Sequence, residues 1–149
     1  MTTYVAVMDA SVQDAEVQQY GSLAISYATA GENGKENCHS VAAAGGLRAI
    51  ATALETHPNS ADVARWAVTA LGNILEALLV QDHDADGIFD VACPGPTWNS
   101  ELYTQLCALV ERASETHGRN KKVCAAVKRC HRGLVLDPDV AAGGSCAVA

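Results

Sequence analysis

Asp82, Asp84, Asp86 and Asp90, with Gly87 between the last two, are the one group of residues in this chain spaced like ligands of a metal ion. Carboxylates at alternate positions can turn their oxygens toward one centre, and a glycine permits the sharp bend that closes a loop around it. Oxygens of this kind suit a hard cation, so calcium, held at roughly 2.3–2.6 Å, is the expected ligand if there is one. The same residues also describe an acidic, solvated loop, which needs no ion.

The Asp82 to Asp90 pattern is similar to the first half of an EF-hand loop and, with Cys93, to a thrombospondin-type calcium repeat. The twelfth position from Asp82 is Cys93, where an EF-hand carries a bidentate glutamate, and only one copy is present. The other reactive residues assemble less. Six cysteines (Cys38, Cys93, Cys107, Cys124, Cys130, Cys146) form no CxxC pair and no zinc spacing with histidine. A thiol nucleophile at Cys107 would need an orienting group that the sequence does not supply. His57 and His117 hold equivalent places in two similar turns, which points to shared structural duty. The expectation is a protein without catalytic residues and without a required cofactor, calcium being the sole candidate ion.

These residues must be positioned by something, and an internal echo shows what. Glu55-Thr56-His57, then five residues, then Val63 is matched by Glu115-Thr116-His117, five residues, Val123; Met8 to Ser11 leading to Val17 is a fainter copy. Each copy ends one apolar helical segment, turns and opens another, and repeats of such a unit announce a stacked architecture. The clearest helix is expected over Ala61 to Val80, where Val63, Trp66, Ala67, Ala70, Leu71, Ile74 and Leu78 form one stripe. Asn59 or Ser60 is its expected cap. Upstream, Gly45-Gly46 separates a short helix at about 37–44 from one that opens at Leu47 and stops before Pro58. Val17, Val63 and Val123 align three long helices at spacings of 46 and 60 residues, so the second interval holds an insertion at about 80–100. Its Asp/Gly/Pro-rich composition is that of an exposed loop.

With Ala43-Ala44-Gly45-Gly46-Leu47, the Leu54 to Pro58 turn and Val63 through Ala70-Leu71-Gly72-Asn73-Ile74 in place, the chain resembles the armadillo-repeat family. The resemblance covers about Asp14 to Leu78, is weaker over Leu102 to Leu136, and skips the insertion. It implies an all-α, right-handed superhelical solenoid of about three repeats over 1–136, followed by a flexible tail at 137–149. It also implies a binding surface on the third helices, here around Arg65, Thr69 and Asn73. In importin-alpha-like members a Trp and an Asn four residues apart grip an extended peptide. Asn73 matches the Asn, whereas Thr69 stands at the Trp position, and the neighbouring pairs are Leu23 with Tyr27 and Arg129 with Gly133.

The bulk numbers agree with a binding protein. The apolar half of the chain is mostly Ala, Val and Leu, with seven aromatic residues, which suits closely packed helices. A formal charge of −7 argues against general nucleic-acid binding. Seven of the ten basic residues nevertheless fall between Arg112 and Arg132, so a basic end is expected on an acidic body, with Lys128, Arg129 and Arg132 as candidate contacts. The N-terminus has no basic signal-peptide region, thiol usage suits a reducing compartment, and no apolar run reaches a membrane span. An intracellular, cytoplasmic protein is the expectation. The first helix reads as the second helix of an incomplete repeat, so the N-terminal end is expected to be open and apolar. Lys128 for Val68 and His131 for Leu71 give the other end a polar cap. The resulting expectation is a scaffold or protein–protein interaction module, a subunit of a larger assembly, or alternatively a calcium-responsive adaptor.

Overall fold

The computed structural model describes residues 2–79 and 100–135. Seven α-helices account for most of them, and no strand occurs among the described residues: α1 (Thr2–Ala10), α2 (Ala15–Ala30), α3 (Gly34–Ala43), α4 (Gly46–Thr56), α5 (Ala61–Leu79), α6 (Ser100–Thr116) and α7 (Lys121–Val135). The acidic segment with Asp82, Asp84, Asp86 and Asp90, and the C-terminal tail, lie outside the described residues.

Three hairpins, α1–α2, α4–α5 and α6–α7, turn in the same way because equivalent residues do the same work. Asp14, Ser60 and Asn120 each close the start of the following helix: Asp14 Oδ1 accepts the Val17 N–H at 3.2 Å, Ser60 Oγ that of Val63 at 3.3 Å, and Asn120 Oδ1 that of Val123 at 3.3 Å. Side-chain oxygens at this position satisfy amide donors that the first helical turn leaves without partners. Within each turn the backbone also repeats, with Asp14 N–H donating to Ser11 C=O, Ser60 to His57 and Asn120 to His117.

The turns are tied to one another by the histidines of the sequence echo. His57 Nε2–H donates to the Val12 carbonyl at 2.8 Å, and His117 Nε2–H donates to the Pro58 carbonyl at 3.0 Å. Val12 and Pro58 are the second residues of their turns, so each histidine reaches back to the same place in the hairpin before it. This accounts for the repeated histidine in structural terms.

Between α3 and α4 the chain bends at Gly45, whose φ of 84° is a left-handed conformation that side chains other than glycine rarely adopt. The short helix before this bend starts at Gly34, three residues earlier than its composition suggests. Asn37 is part of the helix, and its amide donates to the Ala28 carbonyl at 2.8 Å.

Packing follows from the hairpins. The second helices form a row, α2 against α5 against α7, and the first helices α1, α4 and α6 form another, with α3 across α2, α4 and α5. The long helix α5 is thus covered on both flanks. Val63, Ala67, Val68, Ala70, Leu71, Ile74, Leu75 and Leu78 are fully buried along it. Each buried Leu or Ile contributes roughly 1.5–3 kcal/mol relative to exposure, which makes α5 the spine of the core.

Candidate protein-binding surface

The flanks of α5 define what a covered position is. Toward α7, Gly72 lets the helices approach until its own Cβ, if it had one, would stand 3.4 Å from Cys130 Cα. Glu76 accepts from Arg129 at 3.2 Å at the rim of this contact. Toward α2, Asn73 Nδ2–H donates to the Ser26 carbonyl at 2.9 Å and to Thr29 Oγ1 at 3.2 Å. Trp66 meets Tyr27 with ring centroids 5.9 Å apart, and the Arg65 guanidinium lies 4.0 Å from the Trp66 ring centre.

Carried 46 residues back, the α2-facing positions Trp66, Ala70 and Asn73 fall on Tyr20, Ala24 and Tyr27 of α2. Carried 60 residues forward, Trp66 and Ala70 fall on Ala126 and Cys130, which are buried in α7 against α5. On α2 this register is only partly open, because Tyr27 already meets Trp66. Tyr20 is 60% exposed and Tyr27 68% exposed, while Ala24 is half-buried. Tyr4 and Val7 of α1, at 45% and 49%, complete the exposed large hydrophobics among the described residues. All four belong to the first hairpin. Isolated apolar groups on a surface need no explanation, but their confinement to one end is a property of that end.

The expected site residues distribute unevenly. Arg65 and Thr69 are half-buried on α5, Arg65 stacked on Trp66 and Thr69 Oγ–H donating to the Arg65 carbonyl at 2.7 Å. Asn73 differs from the expectation of a peptide-gripping surface group: it is 5% exposed and its amide nitrogen is used against α2. The cause is that α5 is flanked on both sides, so its buried arc is wider than its apolar stripe. Lys128 and Arg129 are exposed on α7, Arg129 next to Glu76, and Arg132 lies in the last turn of the same helix. His131 is exposed as well, where its equivalent Leu71 is fully buried.

What the reading of residue types missed is the aromatic pair. Tyr20 and Tyr27 are seven apart on one helix, with Leu23 between them, and that spacing was the available signal.

Three of the thiols are held away from their ionised form. Burial raises the thiol pKa of Cys38 to about 11, and burial together with the nearby Cys107 raises that of Cys130 to about 12. Burial also raises Cys107, with the Glu111 carboxylate adding to it against a lowering hydrogen bond from Tyr103. A thiol held up in this way carries little of the nucleophilic thiolate at neutral pH. The Cys124 thiol donates to the Gly118 carbonyl at 3.3 Å. Among the described residues no cluster of three His, Cys, Asp or Glu side chains is placed to hold a metal ion, and no helix is long and apolar enough to cross a membrane. Comparison of the chain with family models, with curated proteins and with solved structures gave no match to set beside this surface.

Proposed function

We propose that this chain is a non-enzymatic protein-binding module, a short armadillo-like solenoid of about three repeats that docks through its first hairpin as a subunit of a larger assembly. The observation that carries the reading is the contrast at one register: the position of half-buried Trp66 on α5 and buried Ala126 on α7 is the exposed Tyr20 on α2, and the exposed large hydrophobics among the described residues all lie on the first hairpin. A helix face that repeats a stacking surface without a neighbour on it is what a partner would complete. Tyrosines suit such a role, since they bring large contact area with few rotatable bonds.

The test is site-specific photocrosslinking in extract from the native source. A benzophenone side chain at position 20 should yield a discrete crosslinked protein species. The same group at exposed Ser40 of α3 should not. Equal labelling at the two positions, or none at position 20, would remove the first hairpin as the docking face.

A further inference from the structure

Resting on that reading, we infer that the partner of the α1–α2 end is the α7 end of a second copy, so that copies of this chain stack head to tail.

Charge selects this occupant. Before Lys35 the chain has no Lys or Arg, while Asp9, Asp14, Glu16 and Glu32 are all exposed. From Arg119 to Val135 there is no Asp or Glu, and Lys121, Lys122, Lys128 and Arg129 are exposed. The two ends therefore carry opposite charge around their contact faces, whereas two α1–α2 ends brought together would oppose carboxylates.

A junction inside the chain shows the kind of contact meant. Glu16, in the first turn of α2, is equivalent to Asp62 in the first turn of α5, and Asp62 shares an open groove with Arg119, Asn120, Lys121 and Lys122. One acid-to-base junction of this kind already exists inside the chain. A head-to-tail contact would bring the acidic first hairpin against the basic α7 in a comparable way.

The faces also match in shape. The exposed side of α7 offers the small Ala125 next to Lys128, and α2 offers Tyr20. A cation over an aromatic ring is favourable when partly desolvated. The α2–α5 junction contains such an arrangement in Arg65, Trp66 and Tyr27. Because the contact joins two different surfaces, each copy added leaves one of each open, and assembly is open-ended rather than stopping at a dimer.

The experiment uses the full chain in analytical ultracentrifugation, at low and at high salt, together with two variants. Tyr20→Glu removes the acceptor face, and Ala125→Glu/Lys128→Glu removes the donor face; all three side chains are exposed, and circular dichroism verifies that both variants fold. Wild type should form a concentration-dependent series of oligomers that salt suppresses. Each variant alone should associate at least about tenfold more weakly. An equimolar mixture should form one-to-one dimers and nothing larger, because a single intact pair of faces remains. Wild type that stays monomeric at both salt concentrations would overturn the inference, as would a lysine variant that still dimerises alone, which would mean a face-to-face contact. If wild type is monomeric but position 20 crosslinks a foreign protein, the docking face stands and its occupant is not a second copy.

Discussion

The two flanks of α5 are built at the same register and from opposite materials. On the α2 side the interior is polar: Gln18, Ser22, Ser26, Thr29 and Asn73 are all buried. Gln18 Nε2–H reaches the Met8 carbonyl at 2.8 Å and the Ser11 carbonyl at 3.0 Å, which ties α2 back to α1. The seam is incomplete, since Ser22 Oγ and Asn73 Oδ1 are buried without a hydrogen-bond partner. On the α7 side, Val123, Val127 and Cys130 are buried in α7, Gly72 is close against Cys130, and the Glu76–Arg129 pair lies at the rim. Identical turns hold both junctions, so the turns set where the helices lie, and the individual side chains set how firmly each junction is held. Partly satisfied polar seams contribute less than apolar ones of equal area. The first hairpin is thus expected to open more readily than α7, which suits an end that exchanges neighbours.

Enlarging Gly72 should disturb this contrast most. Gly72→Leu drives a branched side chain into the α7 backbone and should cost about 3 kcal/mol in chemical denaturation. Gly72→Ala places only a Cβ at ordinary contact distance from Cys130, and it should be neutral or stabilising by up to about 1 kcal/mol through helix propensity. Equal loss for both substitutions would mean that the α5–α7 contact is not as close as described.

The polar flank should respond in opposite directions to two truncations. Asn73→Ala removes two hydrogen bonds from the seam and should destabilise by about 1–2 kcal/mol. Ser22→Ala deletes a hydroxyl that has no partner and should be neutral or slightly stabilising. Hydrogen exchange should place the Asn73→Ala effect in α1 and α2 and leave α7 protected.

The smallest effect, absent at neutral pH, is an alkaline one. Cys38, whose thiol donates to the Asn73 carbonyl at 3.6 Å, stands next to the polar seam, and Cys130 lies in the apolar junction. Both have folded pKa values above the ordinary 9.0, at about 11 and about 12. The unfolded chain releases these protons first, so the stability they confer is complete below pH 9.0 and is lost as pH rises toward the folded values. Thermal denaturation from pH 8 to 10.5 should therefore show a decline that is reduced in Cys38→Ser/Cys130→Ser relative to that variant's own value at pH 8.

Much of the helical layout was legible in the residues. The apolar stripe from Val63 to Leu78, Pro58, the Gly45-Gly46 corner and the Ser60 cap are local signals, and α4 and α5 follow them to within a residue. Trp66 packs between hairpins as its place in the stripe suggests. Asn73 was not legible, because it lies outside the stripe and is buried only by a second flanking helix. The purpose of His57 and His117 was hidden for a related reason: their acceptors, Val12 and Pro58, are 45 and 59 residues away in sequence. The open α2 face required knowing which side of α5 meets α2, and that is a matter of packing.

The histidine ties have a consequence for chain length. His57 and His117 link turn to turn directly, so the alignment of successive hairpins does not pass through the residues that connect α5 to α6. Spacing along the chain and spacing in space are uncoupled here, for acceptors 45 and 59 residues away are met by the same reach from turn to turn.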